Sequence, residues 1–250
     1  MKKTEKLLSP FYGDSEMCKR INTFAWENTS LGPLAEWPQS LLTAVNIVLQ
    51  SPVPMVMLWG KDGIMLYNDS YSVFAGARHP SLLGSKVIEG WPEVASFNKN
   101  VMNKGLRGKT LSYTDQKLTL QRNNIPEEVW MNLNYSPIID ERGKPAGVLA
   151  IVIETTQQIL AEKNQKQAEE ALVESEEKFR TMADTAPVMI WITDPSGKCL
   201  YLNRQWYNYT GQTDKTGLGF GWLDAVHPDD SKQSGEIFLK ANKKQIPFSL

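Results

Sequence analysis

The 250-residue chain is poor in cysteine and in histidine, with two of each. Cys18 and Cys199 are too few for a disulfide framework, and with only His79 and His227 there is no Cys/His metal cluster, so a reducing compartment fits best. Net charge is also nearly absent, at −1. That excludes the basic signature of a nucleic-acid binder or of a protein drawn to anionic membranes. No apolar run approaches the roughly 18 residues that a bilayer span requires. The opening Met1-Lys2-Lys3-Thr4-Glu5-Lys6 is basic but lacks the apolar stretch of a signal peptide. The segment is therefore expected to be cytoplasmic. No Gly-rich phosphate loop and no Ser-His-Asp set can be defended. Carboxylates are plentiful, but none is isolated in an apolar setting that would tune its pKa. No catalytic residue and no metal ligand is expected within the chain.

What is present is a repetition. Pro54 to Gly76 and Pro187 to Gly211 carry the same landmarks in the same order. These are Trp59 and Trp191, Gly63 and Gly197, Asn68 and Asn203, Tyr71 and Trp206, Gly76 and Gly211. The offset of about 135 residues is too long for a solenoid unit and suits a duplicated domain. Two copies of one module point toward sensing or binding, and away from a single catalytic centre.

Periodicity divides the chain into four parts. Residues 1–37 read as an irregular segment punctuated by Gly, Pro and Trp. Residues 38–155 read as a first domain. Pro38 suits the first position of a helix, and Leu41, Leu42, Val45, Val48 and Leu49 follow at helical spacing. Met55 to Trp59 and Ile64 to Tyr67 form a hairpin through an Asp-Gly turn. After mixed helical patterns, of which Glu93 to Leu106 is the longest, three strands follow at 109–120, 129–139 and 148–153. Met131, Leu133 and Tyr135 alternate with Asn132, Asn134 and Ser136, so this strand has one buried face. The run at 148–153 is apolar throughout, which predicts a central strand covered on both sides. The expected class is α+β with an antiparallel five-stranded sheet.

Residues 156–184 read as a helical connector. Ala168, Leu172, Ser175, Phe179, Met182 and Ala186 step by 4, 3, 4, 3 and 4, a coiled-coil-like seam. Glu174 and Lys178 add an i,i+4 pair. Residues 185–250 read as the second domain, with Asp229 or Asp230 expected to cap its last helix. By comparison with the first copy it stops at 246–250, inside a third strand, with roughly 40 residues missing.

The carrying residues are Leu31-Gly32-Pro33, Trp37-Pro38-Gln39-Ser40-Leu41, Trp59-Gly60, Leu66-Tyr67-Asn68-Asp69, His79-Pro80, Trp91-Pro92-Glu93, Tyr135-Ser136-Pro137-Ile138 and Glu154-Thr155-Thr156. In the second copy they are Ser175 to Arg180, Asn203 and His227-Pro228-Asp229-Asp230. On these the chain resembles tandem PAS sensory domains of bacterial sensor histidine kinases, the second domain truncated. The resemblance implies the signal-input and dimerisation region of a two-component phosphorelay protein, paired as a homodimer through the connector helix and the PAS domains. A kinase domain would follow on the same chain, and any enzymatic label belongs to that part. The alternatives are a haem- or flavin-binding redox or light sensor, or the input region of a cyclic-dinucleotide enzyme.

Trp59, Tyr71, Phe74, Trp91, Tyr113 and Tyr135 are the candidates for lining a pocket between sheet and helices, open to a small ligand of unknown identity. The plainer alternative is that they fill the core. No cofactor is predicted. His79 and His227 sit beside prolines in loops and read as structural, bonded to backbone, rather than as haem ligands. Cys199 lies in a strand without the helical Asn-Cys-Arg pattern of flavin-adduct relatives. Cys18, next to Lys19 and Arg20, reads as an exposed thiol whose neighbours could lower its pKa. Asn68 and Asn203 close the second strand of each copy and are expected to make local backbone bonds at a turn.

Overall fold

The computed structural model describes residues 10–123, 125–244 and 246–247. The chain forms two compact units, Met1–Glu162 and Lys163–Leu250.

In the first unit, α1 (Glu16–Thr23) starts at Ser15, whose hydroxyl accepts from the Cys18 N–H at 3.2 Å. Its spacing puts Met17, Cys18 and Ile21 on one buried face. Next comes α2 (Gln39–Gln50), burying Leu41, Val45, Val48 and Leu49. Pro38 stands at the cap position rather than inside the helix and offers no capping side chain. Glu141 supplies the cap from the far turn of the sheet: its carboxylate accepts from the Ser40 N–H at 2.6 Å and the Ser40 hydroxyl at 3.1 Å.

The hairpin β1 (Met55–Trp59) and β2 (Ile64–Tyr67) turns at Gly60 and Gly63, both at positive φ. Then follow α3 (Asp69–Ala75), α4 (Val87–Gly90), a 3₁₀ turn Pro92–Val94 and α5 (Ala95–Gly105). Three long strands complete the unit: β3 (Leu111–Leu120), β4 (Glu127–Ile139) and β5 (Pro145–Glu154). The sheet is antiparallel in the order β2-β1-β5-β4-β3. Strand alternation places Val56, Leu58, Leu133, Tyr135, Val148, Ala150 and Val152 on the face that receives α5.

Two expectations need correction here. The segment 1–37 is not an irregular appendage, insofar as residues 10–37 are described. Phe11, Met17, Ile21, Trp26 and Trp37 are all buried in the core of the first unit. Trp26 and Trp37 meet edge to face at 5.0 Å, and their ring N–H groups donate to the carbonyls of Ile21 and Gly32. Asp69 further ties α1 down by accepting from the Met17 N–H at 3.1 Å. The second correction concerns β5. It is central, but only one face is sealed. Leu149 and Ile151 are half-buried and Ile153 is 43 % exposed, because α2 covers only part of the other face.

The helix α6 (Thr156–Thr185) begins in the first unit and ends in the second. Ala168, Leu172, Ser175, Phe179 and Met182 lie along it, all exposed, and Glu174 pairs with Lys178. Ala186 falls just beyond its end.

The second unit holds a hairpin of β6 (Trp191–Thr193) and β7 (Cys199–Leu202), then α7 (Arg204–Thr210), α8 (Asp214–Gly217) and α9 (Pro228–Lys244). Among the described residues its sheet has these two strands. The expected third strand falls largely outside the described residues, and Ile246 and Pro247 are not in a strand. The cap of α9 is His227, not an aspartate. Its Nδ1 accepts from the Asp229 N–H at 3.4 Å, because the helix starts at Pro228 and draws Asp229 and Asp230 into its first turn. Among the described residues no helix is long and apolar enough to cross a membrane.

Candidate functional site

The hairpin and the helix after it are held by one side chain. Asn68 is 1 % exposed. Its carbonyl oxygen accepts from the N–H of Tyr71 at 2.9 Å and of Met55 at 3.1 Å. Its amide donates to the carbonyls of Ser51 at 3.0 Å and Val53 at 2.7 Å. All four bonds that an asparagine amide readily makes are therefore satisfied. The second unit repeats the device. Asn203 accepts from Ile190 at 2.9 Å and Trp206 at 3.3 Å, and donates to Ala183 at 2.7 Å and Val188 at 2.9 Å. Each asparagine caps a helix and also ties back the segment that precedes the first strand, which is more than a local turn.

With α3 fixed in this way, Tyr71 and Phe74 project toward α5 and the sheet. Together with Trp91 and Tyr135 they line a cavity of about 50 Å³. These four of the six candidate residues come together. Tyr113 lies behind the wall, its ring 6.2 Å from Tyr135 and 5.1 Å from Phe97. Trp59 is elsewhere: it shares the register of Met57, which alternation turns away from Val56 and Leu58, and it covers Gly147. Asn98 and Phe97, on α5, also line the cavity and were not singled out by the sequence.

The Trp91 ring N–H donates to the Tyr71 hydroxyl at 3.1 Å. Burial pushes the Tyr71 and Tyr135 hydroxyls well above the usual phenol range, so both stay neutral. Two guanidinium groups cover the outer rings. Arg78 lies 4.7 Å above Trp91, bonded to the Gly90 carbonyl and to Glu93. Arg122 lies 5.2 Å from Phe74 and pairs with Glu154 at 2.6 Å and Glu127 at 2.8 Å. Burial acts to lower its pKa, but the bonds to Glu154 and Glu127 outweigh it and hold the guanidinium charged. Arg122 thus connects a cavity wall to the last residue of β5. Beside it, Thr155 donates to Asp115 at 2.9 Å and Thr156 accepts from the Trp130 N–H at 3.0 Å, fixing the start of α6.

The remaining candidates lie apart from the cavity. His79 bonds to side chains rather than backbone: Nδ1 is 3.0 Å from the Tyr67 hydroxyl and Nε2 is 3.1 Å from Glu16. Cys18 is buried, not exposed, and its thiol donates to the Phe11 carbonyl at 3.4 Å. Burial raises its pKa, against the lowering that Lys19 and Arg20 suggested, because α1 turns those two outward. The Cys199 thiol is also buried and its pKa is raised by burial. Both thiols are expected to resist iodoacetamide in native protein at pH 8 and to react at once in guanidinium chloride. Fast labelling of Cys18 in native protein, read by mass spectrometry, would contradict its burial.

Comparison with known proteins follows the same division. Residues 49–159 match the family model described as PAS fold, and residues 177–242 match the one described as PAS domain. An uncharacterized protein, y4lL of Sinorhizobium fredii, is 47 % identical over 81 residues, covering 32 % of this chain and 10 % of that protein. The peroxide stress-activated histidine kinase mak1 of Schizosaccharomyces pombe is 28 % identical over 97 residues, covering 39 % of this chain and 6 % of that protein. The chain thus spans a tenth or less of these relatives. Among solved structures, the PAS domain of Bordetella pertussis BvgS aligns with 19 % identity and a TM-score of 0.39, covering 52 % of this chain and 97 % of that one. The two family matches take in most of the chain, and the five-stranded antiparallel sheet with its flanking helices is the fold they describe: the chain belongs to the PAS family and carries two of its sensory domains in tandem.

Proposed function

We propose that this chain is the signal-input and dimerisation region of a cytoplasmic sensor histidine kinase in a two-component phosphorelay, with the kinase domain on the same polypeptide. The single observation that carries the dimer is α6, on which Ala168, Leu172, Ser175, Phe179 and Met182 form an exposed seam at heptad spacing. The kinase assignment is supported by relatives that are histidine kinases in Schizosaccharomyces pombe and Dictyostelium discoideum. A signal would act by binding one arrangement of sheet and helices better than another, since only differential affinity moves an equilibrium. The Phe74–Arg122–Glu154 contacts give such a change a physical route to the start of α6. The 50 Å³ cavity favours a small ligand over haem or flavin.

Sedimentation at micromolar concentration tests the reading. We expect a dimer, and we expect Leu172→Glu to weaken it at least tenfold. Burying one leucine contributes about 1.5–3 kcal/mol, and a tenfold change needs about 1.4 kcal/mol. A strictly monomeric wild-type protein would overturn the proposal.

A further inference from the structure

The seam of α6 is not free along its whole length. Phe179 lies 5.3 Å from Tyr201 of β7, ring to ring at 59°. It is 39 % exposed, whereas Leu172, two turns earlier in the same seam, is 62 % exposed. Two neighbours of Phe179 on α6 hold the same tyrosine. The Arg180 guanidinium stands 5.8 Å from the Tyr201 ring, and Asp184 accepts from the Tyr201 hydroxyl at 3.4 Å. Asp184 also accepts from the Arg204 N–H at 2.8 Å, and the Ala183 carbonyl accepts from the Asn203 amide at 2.7 Å. The last turns of α6 are thus fastened to the second hairpin, inside one compact unit.

Comparison with α2 shows how light that fastening is. Asn68 binds the carbonyls of Ser51 and Val53 just after α2, as Asn203 binds those of Ala183 and Val188 at and after the end of α6. The end of α6 therefore holds in the second domain the place that α2 holds in the first. α2 buries Leu41, Val45, Val48 and Leu49, whereas α6 buries Ala183 alone. A helix end held by one alanine and one half-covered ring is held by contacts that another helix can match.

We infer that Phe179 has two alternative partners, Tyr201 of its own chain and the paired α6 of a second copy, so that the second PAS domain opposes pairing at this end of the seam. The inference rests on the reading of α6 as a dimer seam and adds an intramolecular competitor to it. A core residue of a coiled coil inserts as a knob among four side chains of the facing helix. The Tyr201 ring already stands against Phe179, so full insertion requires the two rings to part. Ala168, Leu172 and Ser175 precede the contact and pair in either state. Arg180 follows Phe179 by one residue, a heptad position outside both the seam and its flanks, so a partner helix does not touch it. It therefore serves only the intramolecular state.

The test is the dissociation constant of the whole chain by sedimentation, wild type against Tyr201→Ala, Arg180→Ala and Phe179→Ala. Tyr201→Ala should tighten the dimer about tenfold, because neither of the two chains then gives up a ring contact on pairing. Arg180→Ala, at an exposed helix position, should tighten it about threefold. Phe179→Ala should change little alone, since it removes a contact from both states. In the Tyr201→Ala background it should weaken the dimer about tenfold. Hydrogen exchange at β7 shows whether Tyr201→Ala keeps the second domain folded; if it does not, Arg180→Ala decides alone. A dimer that is unchanged or loosened by these two substitutions overturns the inference and leaves the input-region reading standing. Monomers throughout would overturn both.

Discussion

Asn68→Ala should destabilise the first PAS domain by about 3–5 kcal/mol. The substitution removes an N-cap, which alone costs about 0.5–2 kcal/mol. It also leaves the buried Tyr71 N–H and the carbonyls of Ser51 and Val53 without their partner, at about 1–3 kcal/mol for each group that water cannot reach. Asn68→Asp is the sharper variant. It keeps the two accepted bonds and loses both donated ones, and it sets a carboxylate against two carbonyl oxygens. It should therefore be no better than alanine, although it is a good capping residue on any exposed helix. Asn203→Ala should do the same to the second domain and leave the first untouched. Hydrogen exchange read peptide by peptide separates the two units, which a single unfolding curve does not. Equal loss of protection in both domains from either substitution would refute the assignment.

Gly105→Ala should also destabilise, by about 2–3 kcal/mol, and here the sign is informative. Helix propensity alone predicts a gain of about 1 kcal/mol from replacing glycine within a helix. A Cβ at residue 105 would stand 2.3 Å from Cγ2 of Val148. Val148 is fully buried on the central strand, and its branched side chain has little rotamer freedom with which to retreat. Overpacking of this kind costs about 1–3 kcal/mol. Val148→Ala is itself destabilising, but in the Gly105→Ala background it should restore part of the loss. The two changes should therefore be clearly non-additive in a urea-melt double-mutant cycle. Additive effects would mean that α5 does not approach β5 as closely as described.

Much of this architecture is legible in the residues themselves. Apolar runs bounded by Gly60 and Gly63 mark the hairpin to the residue, because positive φ leaves little choice but glycine there. Met131, Leu133 and Tyr135 announce their face by alternation, and the burial of β4 follows it. What escapes is whatever depends on distant partners. Phe11, Met17, Ile21 and Trp26 are spread thinly among polar residues; Met17 and Ile21 keep helical spacing over only two turns, and what covers all four lies far along the chain. Cys18 misleads because its sequence neighbours are basic, while the helix sends it inward and them outward. Trp59 misleads by parity: one residue along a strand exchanges faces. Asn98 carries no signal, since nothing in its surroundings separates a buried amide from a solvated one.

The docking of α1 and α2 onto the sheet bears on how the first domain can be dissected. The family match begins at residue 49, inside the last turn of α2. A fragment started there would lose Leu41, Val45 and Val48, together with Trp26 and Trp37, and would bare the underside of Met57 and Leu66 to solvent. Such a piece should be sticky and short-lived in solution, even though every residue used to recognise it is present. A fragment opened before Phe11 keeps that cover in place and is the natural unit for biophysical work.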